Sequence, residues 1–107
     1  MQIVTFERQD LGTRETCLHG KGVRYDVGFE RAQLTGGAQV TAISYVACKG
    51  DARRPVVFVT NGGPGSSCAW MHLGLFGPRR VSVPDALRPP TCAPFELEDN
   101  PHCLLDI

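Results

Sequence analysis

The chain has 107 residues, 42% hydrophobic and 21% charged, which fits one small globular domain or a piece of a larger one. Lysine plus arginine equals aspartate plus glutamate at 11 each, so there is no electrostatic basis for nucleic acid or an anionic membrane as a partner. No apolar stretch approaches the roughly 20 residues that cross a bilayer, and residues 1–8 lack the features of a secretory signal.

The first half of the chain predicts β structure. Residues 1–22 are expected to be irregular or to form a short strand, and residues 23–60 to form β-strands. Apolar and polar residues alternate over 23–29, which is typical of a half-buried strand. After Gly36-Gly37, which can take positive φ at both positions, a second alternating run covers 40–47. The two runs predict an antiparallel hairpin whose second strand, apolar on both faces, is covered on each side.

An apolar run and a glycine-rich segment follow. After a polar turn at 49–54, the continuously apolar residues 56–59 predict an inner strand that is buried on both faces. Residues 61–78 predict a glycine-rich turn and a helix, with Ser66 or Ser67 as the N-cap and Gly77-Pro78 as the end. Residues 79–107 predict a proline-rich loop that leads to a further strand near 104–107.

The five cysteines do not indicate a disulfide framework or a zinc site. Their number is odd and no Cys-x-x-Cys pair occurs. On a helix Cys68 and His72 would share a face, but each cluster offers only two ligands, so a buried thiol beside a surface imidazole is favoured. We therefore expect no metal and no cofactor. Free cysteines without an export signal favour a reducing compartment, and the expected location is the cytoplasm.

The segment Asn61-Gly62-Gly63-Pro64-Gly65-Ser66-Ser67 carries the clearest chemical signal. Glycine permits unusual backbone angles and leaves no β-carbon between the main chain and a ligand. Main-chain amides at such a turn, next to a helix start, bind negative charge, including the oxyanion formed when an acyl group is attacked. The Asn61 side chain can donate to a carboxylate. The plainer alternative is an ordinary strand-to-helix connection that uses glycine and proline as common turn residues.

Three other site types fit the same residues less well. A P-loop needs a lysine that the turn lacks, and a dinucleotide fingerprint would end in glycine or alanine where Cys68 stands. A complete small hydrolase would use Ser67 with Asp99 and His102 in that chain order. However, Ser67 lies several residues beyond the end of the strand. Asp99 and His102 are too close in sequence for both to reach Ser67 while orienting one another.

The residues carry a resemblance to a known family. The run 58–67, then Gly77-Pro78, then Asn100-Pro101, resembles the early part of the serine carboxypeptidases, which have the α/β-hydrolase fold. The hairpin and residues 54–58 are most similar to the bacterial branch, and the resemblance extends from about Val23 to Ile107. Related prolyl aminopeptidases carry histidine at the position of Asn61. The asparagine therefore favours the carboxypeptidase branch.

The resemblance implies a fold and three site residues. It implies an α/β fold, namely an incomplete α/β-hydrolase fold with an amino-terminal β-hairpin, a first inner strand, a glycine-rich oxyanion turn and a short helix. The amide of Gly63 would form half of the oxyanion hole. Asn61, together with Gly62, would bind the free carboxylate of a peptide's last residue.

The chain departs from the family pattern at three places. Leu75 stands where many members have a glutamate that helps to bind the terminal carboxylate. Members with a cysteine after Gly-Pro-Gly use it in a disulfide, but this position is Ser66, and the cysteine is displaced to Cys68. Asn100-Pro101 usually continues with Ser-Trp, whereas here it continues with His102-Cys103.

The resemblance also implies that the catalytic serine, aspartate and histidine lie beyond Ile107. We therefore expect the chain to be part of a serine-type carboxypeptidase, inactive alone. Its partners would be a peptide with a free C-terminus and the remaining portion of the enzyme, with no nucleic acid or membrane. The alternative is a small stand-alone β-rich module that binds an anion or a peptide without catalysis. In such an isolated piece, the strand predicted at 56–59 would leave an apolar edge open, and the 107 residues alone are expected to be partly molten or prone to aggregation.

Overall fold

The structure is a computed structural model that describes residues 1–49, 53–85, 87 and 91–106. The chain divides into two compact units. The first comprises Met1–Glu15 and Val23–Asp51, and the second comprises Thr16–Gly22 and Ala52–Ile107. The described residues are mostly β-strand, and helical structure is confined to short segments. None of the helices in these residues is long and apolar enough to cross a membrane.

A three-stranded sheet dominates the first unit. Its order is β1-β2-β3, with β1 at Ile3–Leu18, β2 at Lys21–Leu34 and β3 at Gln39–Ala47. β2 and β3 pair antiparallel, in a register that runs from Tyr25 opposite Ala47 to Gln33 opposite Gln39. Gly36 and Gly37 have φ of +92° and +85° in the connecting turn. The predicted hairpin and its glycine turn are therefore confirmed.

The first strand is much longer than the sequence indicated. β1 has 16 residues where a short strand or irregular chain was expected. Its connection to β2 uses His19 and Gly20, whose φ angles of +51° and +77° are those of a two-residue turn with the twist that antiparallel strands need. The His-Gly pair was the local signal for this hairpin, although histidine is a less usual residue there than asparagine or aspartate.

In the sheet of the first unit, side chains of β2 are buried, whereas apolar side chains of β3 are exposed. Tyr25 and Val27 of β2 are buried, and the rings of Tyr25 and Tyr45 meet edge to face at 5.8 Å. By contrast, the apolar side chains of β3 are about half exposed at Val40, Ile43 and Val46. The expectation that this strand is covered on both sides is therefore wrong.

The second unit contains the helical elements and a two-stranded sheet. In chain order these are α1 at Ala69–Met71, a π-helical turn at His72–Phe76, β4 at Arg79–Val81, β5 at Leu97–Asp99 and a 3-10 turn at Leu104–Asp106. The predicted helix thus ends where Gly77-Pro78 was expected to end it. The strand predicted near 104–107 is wrong, since residues 104–106 form the 3-10 turn instead.

The predicted inner strand at 56–59 is also wrong. These residues are not in a strand, and all four side chains are exposed, with Phe58 exposed by 91%. A strand needs a neighbour to satisfy its backbone groups, and no described strand pairs with this segment. The α/β fold, and the incomplete α/β-hydrolase fold in particular, is therefore incorrect for this chain. The described residues instead form small antiparallel sheets with one short helical segment.

Two predicted features fall partly outside the described residues. Residues 50–52 of the predicted polar turn lie outside them, as do residues 86 and 88–90 of the proline-rich loop.

Candidate functional site

The glycine turn lies in the second unit, immediately before the helical segment. Gly63 and Gly65 have φ of +80° and +81°, a region that residues with a β-carbon rarely adopt. The Ser66 amide donates to the Gly63 carbonyl at 3.3 Å and closes the bend around Pro64. The sequence therefore uses glycine here because the main chain reverses through a left-handed conformation at both positions.

The side chain of Asn61 makes three hydrogen bonds within this turn. Its Nδ2 donates to Ser66 Oγ at 2.8 Å and to the Ser67 carbonyl at 2.9 Å. Its Oδ1 accepts the Gly62 amide at 2.9 Å. Both Nδ2 hydrogens and the Gly62 amide are thus engaged inside the turn. An external carboxylate would bind Asn61 Nδ2 only by replacing one of these two acceptors.

The amides of Gly63 and Gly65, on either side of Pro64, differ from the Gly62 amide in their hydrogen bonding. Among the described residues, neither the Gly63 amide nor the Gly65 amide has a hydrogen-bond acceptor. A β-carbon built at either glycine would meet nothing within 4 Å, so the space beside the backbone is open. Proline has no amide, so the two amides that flank it are donors that the turn can offer to an anion.

The helix start contributes less positive potential than the sequence suggested. The Ser67 hydroxyl accepts the Ala69 amide at 3.2 Å, which is the kind of bond that an N-cap serine makes. The N-cap residue of α1 is nevertheless Cys68, whose side chain makes no capping bond. α1 has only three residues before the π-helical turn begins. Because a helix dipole is a sum over aligned peptides, such a short helix adds little positive potential, which leaves the turn's own amides as the main source of it.

Cys68 and His72 are not joined by a third candidate metal ligand in the part of the chain that the structure describes. Cys68 Sγ accepts the Asn61 amide at 3.5 Å, and burial lowers the pKa of His72. Among the described residues, no group of three or more histidine, cysteine, aspartate or glutamate side chains is placed to hold a metal ion. The thiol serves instead as one more acceptor that fixes the start of the turn.

The carboxylate of Asp99 is already engaged in other contacts. One oxygen lies 3.3 Å from Arg79 Nη1, and the other accepts the Cys17 amide at 3.0 Å. The Ser67 hydroxyl, in turn, accepts the Ala69 amide. These contacts give Asp99 and Ser67 structural roles and count further against a complete small hydrolase built from Ser67, Asp99 and His102.

Asn100 has a structural role that could not be predicted from the sequence. It is 1% exposed, and its Nδ2 donates to the Leu75 and Gly77 carbonyls at 2.7 and 2.8 Å. Its Oδ1 accepts the His102 amide at 3.1 Å, and its own amide donates to the Pro78 carbonyl. Asn100 thereby fixes the end of the helical segment that follows the glycine turn. The only local signal was that Gly77-Pro78 and Asn100-Pro101 both matched the family pattern.

Comparisons with protein-family models, with curated proteins and with solved structures find no match to this chain. The likeness to serine carboxypeptidases therefore rests on the short motifs alone.

The site can do one thing chemically without further groups. Two amides that have no acceptor among the described residues, in a turn held by the Asn61 side chain, can donate hydrogen bonds to a carboxylate or to an oxyanion. Neither Gly63 nor Gly65 supplies a nucleophile, a base or a metal ligand. These two glycines offer hydrogen-bond donors alone, and any bond cleavage needs residues other than these.

Proposed function

We propose that the chain supplies the anion-binding turn of a serine-type carboxypeptidase, an enzyme that hydrolyses the last peptide bond of a peptide with a free C-terminus. The observation that carries the proposal is the Gly63 amide, which has no acceptor among the described residues and adjoins open space. In this role the amide donates to the oxyanion that forms when the scissile carbonyl is attacked. One such donor is worth about 3 kcal/mol in a transition state.

Asn61 and Gly62 act around the same turn. In the unliganded arrangement, Asn61 holds Ser66, Ser67 and the Gly62 amide in place. A terminal carboxylate is a stronger acceptor than a serine hydroxyl, because charge-assisted hydrogen bonds are about twice as strong as neutral ones. The carboxylate therefore replaces Ser66 Oγ on Nδ2 when the peptide binds. The bond to the Ser67 carbonyl is retained.

The proposal assigns no nucleophile to residues 1–107. The serine, aspartate and histidine belong to the remaining portion of the enzyme, which is the first partner of this chain. The hydroxyl of Ser67 has a structural partner in the Ala69 amide and is not given a catalytic role.

The test combines the coding sequence and a covalent probe. We expect the reading frame, or a shifted frame, after codon 107 to encode Gly-x-Ser-x-Gly followed by an aspartate and a histidine. We expect a fluorophosphonate probe to label the product of that longer frame and to leave the 107-residue chain unlabelled. Unrelated downstream sequence would refute the carboxypeptidase assignment. A covalent label on Ser67 would refute the assignment of the nucleophile to another segment.

A second candidate function is a β-rich module that binds an anion or a peptide without catalysis. The observation that favours it is the fold, because the described residues form antiparallel sheets with no inner strand at 56–59. The same open amides of Gly63 and Gly65 then serve as a binding site only. Saturable binding of a carboxylate peptide, together with unrelated downstream sequence, would favour this module over the enzyme.

A further inference from the structure

A small cavity in the second unit includes residues of both β4 and β5. Its volume is about 240 Å³, and the residues that line it are Gly74, Arg80, Val81, Val83 and Glu98. This volume exceeds the roughly 150 Å³ of a cavity that holds one benzene molecule, and it is below the roughly 300–1,000 Å³ of pockets for drug-sized ligands. The cavity therefore suits a ligand of about ten non-hydrogen atoms or fewer.

The charged pair of this cavity has hydrogen-bonding groups to spare. Arg80 and Glu98 are directly opposite one another in β4 and β5. Arg80 Nε donates to Glu98 Oε1 at 2.7 Å, and Nη2 lies 2.7 Å from the same oxygen. A guanidinium has five N–H donors, and a carboxylate has two oxygens. At least three N–H groups of Arg80 and the second oxygen of Glu98 therefore have no partner among the described residues.

The neighbouring ion pair on the same two strands is used differently. Arg79 and Asp99 are also directly opposite one another, with Arg79 Nη1 3.3 Å from Asp99 Oδ1. Arg79 Nη2 donates to a backbone carbonyl at 2.9 Å, and the second oxygen of Asp99 accepts a backbone amide at 3.0 Å. Neither residue lines the cavity. Arg79 and Asp99 thus hold the local backbone, whereas Arg80 and Glu98 keep polar atoms available to a ligand.

We propose that the cavity binds a free α-amino acid with a small apolar side chain. The ligand carboxylate accepts hydrogen bonds from the unused N–H groups of Arg80, because a guanidinium can bind a carboxylate through two parallel bonds. The ligand ammonium donates to the second oxygen of Glu98. The apolar side chain contacts Val81 and Val83, and Gly74 leaves room for it, since a β-carbon built there meets nothing within 4 Å.

The two charges select a zwitterion over simpler ions. A ligand with only a carboxylate gains at Arg80 but is repelled by Glu98, and a ligand with only an ammonium has the opposite problem. A ligand that carries both groups is attracted by both side chains. These side chains are 38% and 42% exposed, so a ligand reaches them from solvent and solvent screens the attraction. We therefore expect binding in the millimolar range.

An NMR titration with three matched ligands tests the proposal on the unmodified chain. The ligands are L-valine, N-acetyl-L-valine, which lacks the ammonium, and L-valinamide, which lacks the carboxylate. We expect saturable shifts of the Gly74 and Val81 amide resonances with L-valine. The other two should bind at least about tenfold more weakly, because each lacks one charge-assisted contact. No saturable shift with L-valine, or a derivative that binds as tightly as L-valine, would overturn the proposal.

Two matched arginine variants locate the ligand. Arg80→Met removes the guanidinium from the cavity, and Arg79→Met makes the same change at the neighbouring arginine, which is similarly exposed and does not line the cavity. We expect R80M to weaken binding of L-valine at least about tenfold and R79M to change it less than about twofold. Equal losses in the two variants would place the ligand on another surface and overturn the proposal.

Glu98→Gln tests the acidic half of the site with opposite expectations for two ligands. The variant keeps the size of the side chain and removes its charge. We therefore expect L-valine to bind more weakly and N-acetyl-L-valine to bind more tightly, since its anion no longer meets a carboxylate. Changes in the same direction, or no change for either ligand, would refute recognition of a zwitterion. The inference does not rest on the carboxypeptidase proposal, because none of the cavity residues belongs to the glycine turn.

Discussion

Replacement of Asn100 by alanine tests how the second unit holds the end of its helical segment. The change removes two donors, to the Leu75 and Gly77 carbonyls at 2.7 and 2.8 Å, and one acceptor, for the His102 amide at 3.1 Å. The side chain is 1% exposed, so water does not readily take its place. At about 1 kcal/mol for each lost bond, we expect a loss of about 3 kcal/mol.

Native-state amide hydrogen exchange measures this loss locally. The Gly77 amide, which donates to the His72 carbonyl at 3.0 Å, reports on the end of the helical segment. A loss of about 3 kcal/mol accelerates its exchange about a hundredfold. The amides of β2 in the first unit serve as the internal control and should change little.

A size-matched variant separates lost hydrogen bonds from lost volume. Asn100→Asp keeps the shape of the side chain but presents a carboxylate oxygen to two carbonyls, so we expect at least as large an acceleration at neutral pH. A change of less than about threefold at the Gly77 amide of N100A, equivalent to roughly 0.6 kcal/mol, would refute the assigned role. Normal exchange in N100D with fast exchange in N100A would attribute the effect to volume instead.

Two further predictions concern a close approach and a carboxyl group. Gly77→Ala should speed exchange of the residue-77 amide, because its β-carbon would collide with the His72 carbonyl oxygen. Gly74→Ala meets nothing within 4 Å and should be neutral or stabilising by about 0.5–1 kcal/mol; equal effects would refute the steric reason. Thr13→Ala should raise the pKa of Asp26, which is lowered chiefly by the Thr13 hydroxyl bond at 2.6 Å. The pKa of Asp26 is lower in the folded chain than in the unfolded chain. The stabilisation that the Thr13–Asp26 bond gives to the fold is therefore present above the unfolded pKa and is lost as pH falls through the folded pKa. An NMR titration of the Asp26 carboxyl that is unchanged in T13A would contradict the assigned cause.

The hairpin could be predicted from the sequence because its signals are local. Alternation over 23–29 and 40–47 sets which side chains share a face, and Gly36-Gly37 fixes the turn between them. The positive φ at both glycines follows from the same pair. The end of the helical segment could also be predicted from a local signal, the Gly77-Pro78 pair.

The inner strand could not be predicted correctly because its signal is not local. The composition of 56–59 is that of a buried strand, but a strand also requires a neighbour, and no described strand pairs with this segment. The reverse error occurred at β1, where polar and apolar residues do not alternate regularly, yet pairing with β2 maintains 16 residues of strand. In both cases tertiary pairing, not propensity, decided the outcome.

The candidate site was predicted in its backbone and not in its side chains. Glycine at 63 and 65 permits backbone angles that other residues avoid, and the structure has positive φ at both positions. The inward bonds of Asn61 to Ser66 and Ser67 depend on the bend itself and could not be deduced from spacing. The contacts of Asn100 with Leu75 and Gly77 join residues 25 and 23 positions apart, and no local pattern shows such a bond.

The most direct test of anion binding by the turn is the backbone amide resonance of Gly63 during titration with an N-acetylated dipeptide. We predict a saturable downfield shift of the Gly63 amide proton with the free acid and no shift with the C-terminally amidated peptide. The amide of Gly37, a glycine of similar φ whose amide already donates to the Leu34 carbonyl, should stay unchanged. An unmoved Gly63 resonance, or equal shifts with acid and amide, would contradict the claim that this turn receives negative charge.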